Sequence, residues 1–481
     1  MRSVAILLAL ATFPGIGHTG EPAVKELPAD LVAAWQKADA GVGWMATNYE
    51  FNIFIPHYRE GAEGKKGEVP AFRFSEWKAG VVANLPRPQS AFGLDLFNSK
   101  LTDEGMKELA GLKHLQCLRI NNAKVTDTGL KELAGLTSLK SLDLTLTKVT
   151  DVGLKELAGL KDLQSLRLWG TPITDAGLKE LAGLQNLKSL DVGGNKLTDV
   201  GLKELAALKS LQSLSLDSTQ VTDVGLKELA GLTKLQSLIL GSTKVTDAGL
   251  KELAALKSLQ SLHLSRTQVT DAGLKELAAL KRLQRLDLNF TKISDACMKD
   301  LAALPSLQSL HLWGTRVTPV GLKELAGMQS LQSLALGSTQ VTNAGLRELA
   351  GMKSLRSLEF RGYQLTDAGL KGLAEFKNLQ TLSFFQTQVT DVGLKELAGL
   401  KNLESLDLTG TKLTDTGLKD LAGLQSLQRL NLWGTKVTDV GLKELTGLKS
   451  LQSLVVMYTQ ATDAGVAELQ KALPTTRIRR K

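Results

Sequence analysis

His263, Asp287 and His311 stand 24 positions apart from one another. Two imidazoles flanking a carboxylate can hold a transition metal if the backbone brings them side by side. The same spacing also allows a hydrogen-bonded row that neutralises itself. A longer row of that kind stands upstream, where Asp95, Arg119, Asp143, Arg167 and Asp191 alternate in sign at the same interval. The remaining parts for catalysis are missing. Beyond the first twenty residues the histidines are His57, His114, His263 and His311, and no CxxC, HExxH, phosphate-binding glycine loop or nucleophile elbow occurs. The expectation is a protein without catalytic residues, resident metal or cofactor.

A second group is suited to binding. Arg266, Arg285, Asp287, Asn289, Phe290, His311, Trp313 and Arg316 crowd together against a background of Ser, Gly and Thr. Trp, Tyr and Arg are the residues that most often dominate binding energy. The triplet WGT occurs at 169–171, 313–315 and 433–435, so Trp169 and Trp433 are further candidates at the position of Trp313. Each of the three either offers a contact or lies flat over a neighbouring glycine.

A repeat must position these residues. TDVGLKELAGL is written at 150–160, 222–232 and 390–400, and the Asp of the TD pair returns every 24 residues from Asp103 to Asp463. Only Pro319 and Asn343 interrupt it, which leaves sixteen units without insertion or deletion. So short a period marks a stacked repeat and overrides the division into about three domains that length alone would suggest. In the unit at 115–138, Leu118 and Ile120 alternate with Cys117, Arg119 and Asn121, the period of a strand with one buried face. Val125, Leu130, Leu133 and Leu136 follow at spacings that fit a short helix. Asp127 is placed to cap that helix; at Pro319 the role passes to Thr318, and Asn343 is itself a good cap. Strand, turn, helix and return cannot bury its leucines alone, but a stack can.

The segments LKSLDLTLTKV (139–149), LQSLHLWGTRV (307–317) and LQRLNLWGTKV (427–437) resemble the leucine-rich repeat pattern LxxLxLxxNxL. The resemblance covers about residues 91–480. It departs at the Asn position, which is Asn195 once and Thr in twelve units from Thr147 to Thr459. A Thr hydroxyl still bonds backbone inside the turn, with fewer groups than an amide. The TDxGLKELA helix is similar to that of ribonuclease-inhibitor and F-box types. The whole looks most like secreted bacterial proteins with 24-residue repeats. The resemblance implies an α/β, right-handed horseshoe solenoid of about 16 repeats, with a parallel sheet on its concave face and short helices on its convex face. The missing catalytic motifs lead to the expectation of a non-catalytic function.

The ends differ from the repeats. Residues 1–20 carry one basic residue and an apolar run from Val4 to Phe13, followed by Gly15 and Gly17. That run is too short to span a bilayer, so the expectation is a cleaved signal peptide and a secreted or periplasmic protein. Residues 21–90 read as a small α+β capping region, or else a separate binding domain, with a helix at 29–39, strands at 51–55 and 72–74, and a solvated loop at 59–68. The repeats run over 91–474. Residues 475–481 read as a last strand, with Ile478 in register, and a basic tail. Cys117 and Cys297 lie seven to eight units apart, on the order of 35 Å at ~4.8 Å per strand, too far for a disulfide. The formal charge of +9 is spread over helices that alternate Lys and Glu, and no basic groove with interleaved aromatics points to nucleic acid. The partner expected is a protein or peptide, or a cell-surface polymer, held on the concave face. The alternative is a structural envelope protein with no defined patch.

Overall fold

The computed structural model describes residues 26–46, 58–61, 63–337, 343–362 and 365–480. The expected signal peptide and the strand expected at 51–55 lie outside them. The chain forms two compact units, Glu21–Leu283 and Gln284–Lys481. No helix among the described residues is long and apolar enough to cross a membrane.

In both units the 24-residue period becomes a short strand, a turn and a helix of one or two turns. In the first unit, strands from Phe92–Asp95 and Leu115–Arg119 to Ser237–Ile239 and Ser261–His263 pair in parallel, each with the next. In the second, the parallel ladder runs from Arg285–Asp287 to Arg477–Arg479, where Ile478 stands opposite Leu454. A parallel pair needs a crossover, and the helix between strands supplies it. The leucines meet between sheet and helices. In the unit at 115–138, Leu118, Ile120, Val125, Leu130, Leu133 and Leu136 are all fully buried.

The Asp of the TD pair does not cap its own helix. Thr126 is the cap and accepts from the Thr128 N–H at 3.2 Å, while Asp127 is the first helical residue. The Asp127 carboxylate turns to the next unit, where it accepts from the Thr150 N–H at 2.7 Å and the Thr150 hydroxyl at 2.6 Å. The acid therefore fastens one helix start to its successor, while the threonine caps its own helix. Thr318 caps in the same way, with Pro319 at the first helical position. Asn343 is likewise the first residue of its helix, and its amide reaches Thr366 at 3.1 Å.

The Thr that replaces Asn in the turn bonds as expected: Thr147 Oγ1 donates to Leu144 O at 2.6 Å. Asn195 does more, donating to Val192 O at 2.9 Å and to Leu168 O of the preceding unit at 2.8 Å.

Before the repeats, strand Glu68–Arg73 pairs in parallel with Phe92–Asp95, and its other side pairs antiparallel with Gly41–Ala46. Helix Ala29–Lys37 buries Trp35, which stacks on Phe72 with ring centroids 4.2 Å apart. Cys117 is buried against Met45, Val69 and Ala71, because the early strands place those side chains over its row. Part of the stretch read as a solvated loop is ordered by an ion pair, Arg59 to Glu68 at 2.7 Å. Both cysteines are free and buried, and burial pushes the Cys117 thiol up to about 12.

Candidate binding face

Side chains alternate along a strand, so every second residue of each strand leaves the leucine core for the opposite sheet face. In the first unit that face is largely closed, although Ser213, Ile239 and His263 are half-buried. Ser141, Ser165, Ser189, Ser237 and Ser261 are buried, and so are Asp95, Asp143 and Asp191. The alternating row forms as expected and takes in Arg73 as well. Arg119 lies 3.7 Å from Asp95 and 3.9 Å from Asp143; Arg167 lies 3.7 Å from Asp143 and 3.4 Å from Asp191. Burial raises the Asp95 and Asp191 carboxyls, and the neighbouring arginines oppose that shift.

In the second unit the same positions are more open. Ser309, Ser333, Thr381 and Ser405 are half-buried, and so are Arg285, Asp287 and His311, while Ser357 is buried. Arg285 and Asp287 flank Leu286 in strand Arg285–Asp287, and Asp287 stands opposite His311 in register. Burial lowers the Arg285 guanidinium from its usual value. Asp287 accepts from the Asn289 N–H at 2.8 Å, the same turn-closing contact that Asp95, Asp143 and Asp407 make. Asn289 Oδ1 in turn accepts from the Trp313 N–H at 2.7 Å, so Asn289 positions the next strand's exit. The Ser309 hydroxyl lies 3.3 Å from His311 Nε2.

Phe290 packs on Trp313 with centroids 5.0 Å apart. Arg316 is exposed in the turn three residues beyond Trp313, its N–H donating to Ile293 O. Arg266 and His263 belong to the first unit. Among the described residues no three His, Cys, Asp or Glu side chains converge as a metal site. Trp169 lies against Gly193, where an added Cβ would come within 2.8 Å of its Cδ1. Trp433 packs edge-on against Tyr458 at 5.1 Å.

The cluster extends beyond the residues singled out in the sequence. Strands Ser333–Gly337, Ser357–Arg361 and Thr381–Phe385 are five residues long, where their neighbours have three. Their added pairs, Gly337 to Arg361 and Arg361 to Phe385, make a platform past the usual strand end. On it the Arg361 guanidinium is held 4.0 Å from the Trp313 ring centre and 4.1 Å from that of Phe385. Gly337 permits this meeting, since a Cβ there would come within 2.6 Å of Trp313 Cδ1 and 2.8 Å of Arg361 Cβ. Phe290, Trp313, Arg361 and Phe385 thus form one continuous stack.

Beside the stack, burial raises the carboxyls of Glu359 and Asp407, each the other's or Arg361's neighbour in charge. Sequence reasoning missed Glu359, Arg361, Phe385 and Asp407. The signal was present: SLEFRG and TLSFFQ depart from the repeat as strongly as RLDLNF. Stepping by 24 from Trp313 reaches Gly337, Arg361 and Phe385 in turn.

A family model described as leucine-rich repeat region matches residues 95–360, and one for two copies of the leucine-rich repeat matches 377–422. No curated protein matches the chain. Similar solved structures include an internalin from Listeria monocytogenes, 25% identical over 75% of this chain and 86% of that one, with a TM-score of 0.40. A leucine-rich-repeat protein of Leptospira interrogans is 28% identical over 79% of this chain and 98% of its own, with a TM-score of 0.47. A plant peptide hormone receptor in complex with RGF2 is 16% identical over 81% and 77%, with a TM-score of 0.38.

Proposed function

This chain belongs to the leucine-rich repeat family, and we propose that within it the protein is an exported, non-catalytic recognition module. It binds a protein or peptide, or a surface polymer, on the sheet face of its second unit. The observation that carries this reading is the stack of Phe290, Trp313, Arg361 and Phe385 on strands longer than their neighbours. Aromatic and guanidinium groups at the surface are the usual anchors of an interface, and a half-open face gives a partner access to them. Export rests on the apolar run at residues 4–13 followed by small residues, and N-terminal sequencing of protein recovered outside the cytoplasm tests it.

The test of binding is a double variant, Trp313→Ala with Arg285→Ala, compared with wild type in capture from envelope extract followed by mass spectrometry. Loss of about 2 kcal/mol or more of affinity, with the melting curve retained, is the expected result. The matched pair Ser333→Ala with Ser213→Ala should change little. If both pairs behave alike, the second reading takes over: a structural envelope repeat. The near-identical units, such as those at 150–160 and 390–400, favour that second reading.

A further inference from the structure

We propose that the binding face receives a cationic side chain of its partner, a lysine or an arginine, above Ser383 and between the carboxylates of Glu359 and Asp407. This deepens the reading above and rests on it.

The protein carries its own template for such a slot. In the first unit, Asp95 and Asp143 bracket Arg119, and Asp143 and Asp191 bracket Arg167, with nitrogen to oxygen distances of 3.4–3.9 Å. Acid, base and acid occupy successive parallel strands at one register. In the second unit the same strand position reads Glu359, Ser383 and Asp407, also in register on successive strands. The row is acid, small residue, acid, and the central cation is missing from it. Two strand spacings separate the acids, roughly 10 Å, the interval that an arginine bridges in the first unit.

The nearest arginine does not fill the place. Arg361 is drawn along its strand into the sandwich between Trp313 and Phe385. Among the described residues Glu359 forms no hydrogen bond or ion pair, and its electrostatic neighbour is another acid, Asp407. Asp407 spends one oxygen on its own turn, accepting from the Thr409 N–H at 2.9 Å and the Thr409 hydroxyl at 2.6 Å. Both carboxyls are held above their ordinary range by burial, a cost that an incoming cation would relieve. Ser383 leaves room over the strand, and Phe385, two residues along on the same face, offers an apolar wall for the methylene stem of Lys or Arg. Arg361 reaches Asp407 electrostatically but not Glu359, so an acidic or neutral segment would leave Glu359 uncompensated, and charge complementarity selects a basic one.

The experiment uses the full chain and four blocked pentapeptides, Gly-Gly-X-Gly-Gly with X as Arg, Lys, Gln or Glu, followed by saturation-transfer NMR. The Arg and Lys peptides should bind, and the Gln and Glu peptides should bind at least about tenfold more weakly. Glu359→Gln removes one acid without changing shape and should weaken the Arg peptide about tenfold. Ser383→Arg should do the same by completing the row from within, while the protein melts no lower than wild type. Absence of binding by the Arg and Lys peptides overturns the proposal, as does equal binding of the Gln peptide. Wild-type affinity in either folded variant overturns it too. If Ser383→Arg does not fold, Glu359→Gln decides alone. Failure here, with partner capture still lost in the Trp313 and Arg285 double variant, removes the cation slot and leaves the binding face. Capture that survives the double variant removes the face itself.

Discussion

Phe290 has φ 56°, in the left-handed region, at a slot just past the strand that other units repeat among the described residues. Gly170, Gly194, Gly314, Gly410 and Gly434 fill that slot without strain, whereas Leu146, Arg266, Phe290 and Tyr458 hold it at a cost of roughly 1–2 kcal/mol each. Leu146, Phe290 and Tyr458 are also exposed, at 48%, 38% and 74%. Strain carried by an exposed aromatic points to use at the surface rather than to folding. The ring gives something back, since it lies over Gly314 and packs on Trp313. Phe290→Gly is therefore expected to leave the melting temperature unchanged or slightly raised, because relief of strain offsets the lost packing. Partner capture should weaken. Undiminished capture would remove Phe290 from the face. The sequence marked Phe290 as unusual, but its backbone strain and its contact with Trp313 were legible only in three dimensions.

The helix start shows how one short motif links neighbours. Asp223 accepts from the Thr246 N–H at 2.8 Å and the Thr246 hydroxyl at 2.6 Å. The same carboxylate presses on Gly249, where an added Cβ would also come within 2.9 Å of Leu226 Cδ1. The glycine of TDxGL is thus set by the acid of the preceding unit. In an isolated helix Ala is favoured over Gly by about 1 kcal/mol. Here Gly249→Ala should instead destabilise, by about 1–3 kcal/mol, because the site is already filled. Asp223→Ala should cost about 1.5–3 kcal/mol through the lost charged hydrogen bonds. The double variant should cost less than the sum, by ~0.5 kcal/mol or more, since the second change removes the obstacle met by the first. Chemical denaturation of the four proteins checks this, and strict additivity would refute the link. The chain contains a related case: Cys297 stands at the glycine position, and its helix opens as a 3₁₀ turn, Asp295–Cys297, before becoming α-helical at Met298–Ala302.

At the scale of the whole chain, each repeat has contacts mainly with its neighbours, so damage should stay local. Leu214 is fully buried and pairs with Leu190 on one side and Leu238 on the other. Leu214→Ala should cost about 2–5 kcal/mol within the first unit. Hydrogen exchange read by mass spectrometry should show protection falling in residues around 190–240 while strands Ser405–Asp407 to Ser453–Val455 keep theirs. Unfolding in denaturant should become biphasic. Equal loss of protection in both units would show that the array is one cooperative block.

The period of 24 by itself determined the strand, turn and helix of each unit, the buried leucines, and the alternating Asp and Arg row, because these depend on spacing and on which residues repeat. Trp313 and Phe290 stood out for the same reason, as breaks in a regular text. Which helix Asp127 serves was decided only by stacking, since its partner Thr150 is 23 residues away. Openness was decided there too. Ser141 and Ser309 occupy the same place in the period, yet one is buried and the other half-exposed, because burial depends on the neighbouring side chains. Trp313 and Arg361 are 48 positions apart in the chain and meet only because Gly337, in the strand between them, has no side chain to keep them apart.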